Sequence, residues 1–398
     1  MDEQDETDIT IFEEEAKCDA NLQEFLQCID AVKESTEGLG FAAIKITALC
    51  RPDILIKLSE CIERTRIHYA QDHVKKSMAI KGGDNQDSIH LLDWGSLVDP
   101  KKGLGETFQV PNLETGKMEK LVTGDDDGAL TAMEEEQFKN LVNRLHTLFK
   151  YSKERNVRVQ VDAEQSYFQP AIHRLTVEMM RVYNTENAVV FSTHQCYLKK
   201  ALEIVTTDLE QAKHQNFFYG TKLVRGAYME QERARSLLLG YSDPINPNFE
   251  ATSAMYHSVL DECLSRIKAF KDAGEGPDRI KVMVASHNDD TIRYGIRRMA
   301  ELGLDPQDRV LSFAQLYGMC DQVTFPLGQA GYSVYKYVPY GPVHEVLPYL
   351  SRRATENGTM LTRVKQEKRL LLKELLRRVS KRELSYRPEG HYKPVGFD

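Results

Sequence analysis

Residues 157–170 read VRVQVDAEQSYFQP. The segment begins as an apolar strand over 157–164, turns polar at Asp162 and Glu164, and passes into a helical pattern near Gln169. The same order of strand, polar end and helix recurs. Residues 188–195, 222–228, 281–288, 310–318 and 333–340 each read as a strand with a helix behind it, and 41–49 is a further strand before a helix running from Asp53 to about His73. With the weaker segment 90–98 the count reaches eight. Strands that alternate with helices imply right-handed crossovers and a parallel sheet, and eight repeats suggest closure. The fold class expected is α/β, a distorted (β/α)8 barrel of the TIM type.

Outside this core, residues 1–37 form an acidic N-terminal arm with helical spacing over 17–34. The barrel domain is expected over 38–360, with an insertion at about 74–130 after the first βα unit and a helix from 131 to about 153. Residues 361–398 carry eleven Lys and Arg against five acidic residues, and Val364, Leu371, Leu372, Leu375, Leu376 and Val379 recur at helical spacing. This is a basic amphipathic C-terminal helix, which either docks on its own domain or touches an anionic membrane surface over about 361–385. A doubly wound sheet competes with the barrel. Its phosphate loop would follow the first strand, whereas Gly38, Gly40 and Ala43 precede or begin it, so that reading is discounted.

The chain has 398 residues and a formal charge of −8, from 52 basic and 60 acidic side chains. Eight of those acids lie in the first sixteen residues, which contain no Lys or Arg, so the remainder is neutral overall. Nothing here supports a nucleic-acid binder that relies on a domain-wide positive field. Cys18, Cys28, Cys50, Cys61, Cys196, Cys263 and Cys320 are odd in number and widely spaced, and read as reduced, mostly buried thiols. The histidines lack HExxH or similar spacing, so no metal site is expected. The opening residues resemble neither a signal peptide nor an Arg-rich transit peptide, which fits a cytosolic chain or one given without its leader.

Polar groups gather at the C-terminal ends of the strands: Lys45, Asp162 with Glu164, His194 with Gln195, Arg225 with Tyr228, and Ser286 with His287 and Asn288. Barrel enzymes place their chemistry on that end, where loops surround one mouth. The last strand and helix add Tyr335, Tyr337, Tyr340, Tyr349, Arg352, Arg353 and Glu356. Positions 349, 352, 353 and 356 share one side of a helix. Spacing leaves two readings open, a surface ladder bridged by Glu356 or a two-guanidinium clamp for a small carboxylate. Lys45 and Asp162 likewise read as an ordinary ion pair or as a site for an amino acid's ammonium end. An acid–base lyase or hydrolase built on Asp162 and His287, or a non-catalytic relative, would share these features.

Seven segments taken together are more specific. In order, IKITAL (44–49), VDAEQSYFQPAI (161–172), HQCYLKKA (194–201), KLVRGAYMEQERA (222–234), VMVASHN (282–288), QLYGMCDQ (315–322) and VPYGPVHEVLPYLSRRATENG (338–358) closely resemble the eukaryotic proline dehydrogenases, over about 38–360. The resemblance implies a barrel holding FAD, oxidation of L-proline to Δ1-pyrroline-5-carboxylate, a ubiquinone-type electron acceptor, and a mitochondrial location at the matrix side of the inner membrane. It also implies roles. Arg352 and Arg353 would bind the carboxylate. Lys45, Asp162 and Tyr337 match polar substrate positions, and Tyr228, Leu316 and Tyr349 match residues around the proline ring. Gln195, Lys222, Val224, Gly226, Ala227, Tyr228, Ser286, His287, Asn288 and Glu356 match flavin-binding positions. Bacterial relatives usually carry Arg where this chain has Lys222 and Lys where it has Arg225. Tyr337 would crowd a ring hydroxyl, which favours proline over hydroxyproline.

Overall fold

The computed structural model describes residues 3–63, 109–111, 118–120, 131–356 and 361–383. The chain divides into two compact units, Met1–Cys263 and Leu264–Asp398. In the first, α1 (Glu3–Thr36) leads to β1 (Phe41–Ile44), a short 3-10 turn (Ile46–Ala48) and helix α2 over 52–63. A two-stranded antiparallel ribbon, β2 (Gln109–Pro111) with β3 (Met118–Lys120), belongs to the insertion. Then follow α3 (Ala132–Arg155), β4 (Arg158–Val161), α4 (Gln169–Tyr183), β5 (Val190–Gln195), α5 (Ala201–His214), β6 (Tyr219–Val224), α6 (Met229–Leu239) and α7 (Phe249–Asp272), which runs through the division. The second unit holds β7 (Ile280–Ala285), α8 (Asp289–Glu301), β8 (Leu311–Leu316), α9 (Asp321–Gln329), β9 (Ser333–Tyr337), α10 (Val343–Glu356) and α11 (Leu361–Ser380).

Strands β1, β4, β5 and β6 pair in that order, all parallel, and β7, β8 and β9 do the same in the second unit. Each parallel step is closed by a helical crossover, as the sequence pattern requires. Segment 90–98 lies outside the described residues. The acidic arm is not a loose tail: α1 packs on α3, and Ile29 of α1 and Leu141, Leu145, Leu148 and Phe149 of α3 are all buried. Full burial of such side chains contributes about 1.5–3 kcal/mol each. The acids of the arm find partners there. Buried Arg144 donates to Glu15 at 2.8 Å, to Asp19 at 2.7 Å and to the Leu49 carbonyl at 3.0 Å, while Tyr151 donates to Asp30 at 2.9 Å.

Local chemistry sets the boundaries. Thr131 and Glu134 form a capping box at the start of α3, and Asn156 ends it in the left-handed conformation at φ 55°. Buried Asn184 then organises the entry to β5. Its Oδ1 accepts from the amides of Val189 and Val190, and its Nδ2 donates to the carbonyls of Val190 and Phe218.

Every barrel strand among the described residues is shorter than its sequence pattern. The expected strand 41–49 ends at Ile44, 157–164 ends at Val161, and 281–288 ends at Ala285. The 222–228 strand begins earlier, at Tyr219, and stops at Val224. At the end of β4 the Asp162 amide still donates to the Ile44 carbonyl at 2.9 Å, and pairing stops beyond it, where backbone groups turn to side chains. The Glu164 amide, for instance, donates to Gln169 Oε1 at 2.9 Å rather than to a neighbouring strand.

Candidate active site

The first unit gathers its charged residues on one face of the sheet by simple alternation. Register pairs Ala43 with Gln160, Gln160 with Phe191, Thr193 with Lys222 and Gln195 with Val224. Phe41 and Phe191 meet edge to face at 5.1 Å on that face. Counting by twos, Lys45, Asp162, Gln195, Lys222 and Val224 therefore project the same way. The contacts agree. Lys222 is ion-paired with Asp162. Lys45 Nζ lies 3.3 Å from the Tyr228 hydroxyl and 3.8 Å from Glu164 Oε2. The Gln195 amide donates to the Glu164 carbonyl at 2.7 Å.

One expectation changes here. Lys45 and Asp162 are not each other's closest partners: Asp162 takes Lys222, and Lys45 takes Glu164 and Tyr228. The residue that sequence reasoning undervalued is Glu164. It is noticeable in the sequence only as a second carboxylate two positions after Asp162. In the structure its side chain is nearly buried, and both oxygens accept from the Thr47 hydroxyl, at 2.9 and 2.8 Å. Desolvation pulls the Lys45 ammonium down, but Glu164, Tyr228 and Asp162 together outweigh it and hold it above its ordinary value. Lys45 is thus a fixed positive charge, not a base.

The turn after β6 supplies a bare stretch of backbone. Gly226 has φ 143°, and a Cβ on it would come within 2.4 Å of the Tyr197 ring, so only glycine fits. Ala227 beside it is exposed and Tyr228 is half-buried, while on the interior face the hydroxyl of buried Thr193 has no hydrogen-bond partner. An orphaned hydroxyl, an amide, an ammonium and open backbone suit a large polar ligand with carbonyl and ring-nitrogen acceptors.

The second unit repeats the arrangement on a smaller scale. Leu316 and Tyr337 are register partners on one face of β8 and β9. The Leu316 amide donates to His287 Nε2 at 3.0 Å, which engages that nitrogen's lone pair. Asn288 caps α8, its Oδ1 accepting from Asp290 and Thr291, and its own amide donates to the Ser286 hydroxyl at 3.1 Å. On α10 the Arg353 guanidinium lies 5.2 Å from the Tyr349 ring centroid. Arg352 and Glu356 share that helix, and their side chains lie outside the described part.

Among the described residues, one trio could hold a metal: His173, His194 and Asp208 bring ligand atoms within 4.8 Å. It lies on the opposite face of β5 from Gln195. Its members already satisfy one another, with Asp208 accepting from His173 Nε2 at 2.9 Å, His194 Nε2 at 3.1 Å and the Tyr219 hydroxyl at 3.0 Å.

A family model described as proline dehydrogenase matches residues 6–366. The chain belongs to the proline dehydrogenase family. It is 49% identical over 96% of its length to proline dehydrogenase 1, mitochondrial, of Drosophila melanogaster, and 46% identical over 94% to its namesake in Homo sapiens. The chain spans 61% and 66% of the length of those two proteins. In fold it is similar to the crystal structure of a bifunctional proline utilization A protein, with a TM-score of 0.56 and 19% identity, covering 86% of this chain and 27% of that one. With the parallel strands and crossover helices above, this places the fold in the α/β class of the TIM-barrel type. None of the seven cysteines, all among the described residues, is in a disulfide, and six of them are buried.

Proposed function

We propose that the chain is an FAD-dependent enzyme that oxidises L-proline to Δ1-pyrroline-5-carboxylate and passes the electrons to a quinone, at a mitochondrial membrane surface. The observation that carries this reading is the cluster of Lys45, Asp162, Glu164, Lys222 and Tyr228 at the ends of β1, β4 and β6, in a chain of this family.

The chemistry that FAD supplies when bound is acceptance of a hydride from C5 of the proline ring. Gln195, Lys222, Val224, Gly226, Ala227, Tyr228, Ser286, His287, Asn288 and Glu356 are the residues proposed, from the family resemblance, to hold it. The protein's own part is positioning and charge. Arg352 and Arg353 take the substrate carboxylate, for which planar guanidinium forks are well suited. Asp162 and Glu164 favour the cationic amine end on binding. Lys45, kept protonated, restrains Glu164 and the Tyr228 hydroxyl. Lys222, held by Asp162, supplies positive charge on the flavin's side, which favours its reduced form. Tyr228, Leu316 and Tyr349 are proposed to pack the ring, and Tyr337, the register partner of Leu316, to crowd a hydroxyl on it. No helix among the described residues is long and apolar enough to cross a membrane. The peripheral membrane contact proposed is made by α11, whose Leu371, Leu372, Leu375, Leu376 and Val379 are exposed beside basic residues.

The decisive experiment is anaerobic mixing of FAD-loaded protein with L-proline while the flavin absorbance is followed. Bleaching at a rate that saturates with proline is the expected result. A flavin band that persists, or a protein that takes up no flavin, overturns the reading.

A further inference from the structure

Glu232 lies in the first turns of α6 with none of its surface exposed. A carboxylate helps a helix start by its charge alone, and an exposed one does so without loss of hydration. Complete burial therefore needs a different reason. Its hydrogen-bond partners are the backbone amide and the hydroxyl of Ser166, each at 2.5 Å, one to each carboxylate oxygen. Ser166 is not a neighbour in sequence. It sits in the loop after β4, two residues beyond Glu164.

Two further contacts flank this one in the same order. Gln165 Nε2 donates to Gln231 Oε1 at 3.0 Å, and the Arg235 guanidinium stacks 4.3 Å from the Tyr167 ring centroid. Residues 165, 166 and 167 thus pair with 231, 232 and 235, and the buried rung is the middle one. The clasp joins the segment just after Glu164 to the helix just after Tyr228. Those two residues also meet at Lys45, 3.8 Å from the Glu164 carboxylate and 3.3 Å from the Tyr228 hydroxyl. The Tyr197 ring lies against Gly226, two residues before Tyr228. The loop that carries both site carboxylates and the turn that carries Tyr228 are in this way held as one body.

We propose that Glu232, through Ser166, is a positioning residue that sets the spacing between Tyr228 and the Asp162–Glu164 segment, and so the fit of the proline ring. This rests on the function proposed above. Glu232 touches neither substrate nor cofactor in this arrangement; it acts through the two segments it joins. Its two oxygens accept from an amide and a hydroxyl at once, which a neutral Gln reproduces by accepting from the Ser166 amide and donating to its hydroxyl. Alanine reproduces neither.

The experiment compares Glu232→Ala, Glu232→Gln and Ser166→Ala in the flavin-loaded full chain, reading steady-state kinetics with L-proline and amide hydrogen exchange over residues 163–168. Because an error of about 1 Å in placing a group can cost about 10²-fold in rate, Glu232→Ala is expected to lower kcat/KM by about that factor, mostly through KM. Its flavin content should match the parent's, and exchange over 163–168 should be faster. Glu232→Gln recovers most of the loss and Ser166→Ala falls between. Parent-like KM and exchange in Glu232→Ala overturn the proposal. If Glu232→Ala does not fold, Ser166→Ala decides, and an unchanged KM there is equally fatal. A parent protein that fails to oxidise proline sinks the function and leaves the clasp to be judged by exchange alone.

Discussion

On β5 and β6, side chains at 193, 195, 222 and 224 face one way and those at 194, 219 and 221 the other, so the two faces can be compared residue by residue. Toward the barrel interior, Lys222 and Asp162 pair with Asp162 still about a fifth exposed, Lys45 is about half exposed, and a Thr193 hydroxyl has no partner. Toward the helices, Asp208 is enclosed by His173, His194 and Tyr219, with His194 Nδ1 a further 2.9 Å from the Thr221 hydroxyl. Burial raises and the two imidazoles lower the Asp208 carboxyl, with the imidazoles winning by a wide margin, whereas burial is the larger influence on His194 and pushes it below its ordinary value. The outer face closes its polar groups on each other and spends them on stability. The inner face leaves capacity unused, which is what a site awaiting a ligand must do.

Asp208→Ala tests this contrast hardest. It strands two buried imidazoles and a tyrosine hydroxyl, and a loss of about 3–5 kcal/mol is expected, measured by urea unfolding, with the kinetics of the remaining folded enzyme little changed. Large loss of kcat/KM at unaltered stability would erase the distinction between the faces. Asp162→Asn is the converse. It should reduce kcat/KM for proline by about 10²-fold, near 3 kcal/mol in the barrier, while the unfolding free energy falls by less than for Asp208→Ala, because only one buried cation, Lys222, loses its partner and Asp162 itself is partly open to water. A drop in stability as large as that of Asp208→Ala would show that the inner face, too, is structural.

The smallest effect is with pH. His194 has a folded value below its unfolded 6.5, so between the two values the unfolded chain binds a proton that the folded chain refuses. Stability is then complete above about 6.5 and declines as pH falls below it, by at most about 1.4 kcal/mol per pH unit for this one group. Urea midpoints at neutral and mildly acidic pH check this, and His194→Gln should flatten the dependence. The Lys45 ammonium moves the opposite way, upward, and contributes no change in this range.

Much of the inner face is visible in the sequence because a strand repeats every two residues. Lys45, Asp162, Gln195 and Lys222 stand at strand ends in the right phase, and the colinear motifs point to the family. What is hidden is pairing. The Lys45 and Asp162 link expected from type alone became two links, because Lys222 reaches Asp162 first and Glu164 reaches Lys45. The His173–Asp208–His194 network is equally hidden, since its members come from α4, α5 and β5 with no motif among them. The clasp between 165–167 and 231–235 is assembled across more than sixty residues of chain, and neither half shows a signal by itself.

The sequence by itself determined the α/β class, the parallel order of strands, the acidic arm, the basic final helix and the family, because periodicity and colinear motifs are properties of neighbouring residues. Tertiary structure decided which charge meets which, where each strand stops, and that Glu232 and Asp208 are buried. Those outcomes depend on distances between segments remote in the chain, and on the heavy cost of enclosing a charge without partners, a cost that only the folded surroundings can offset.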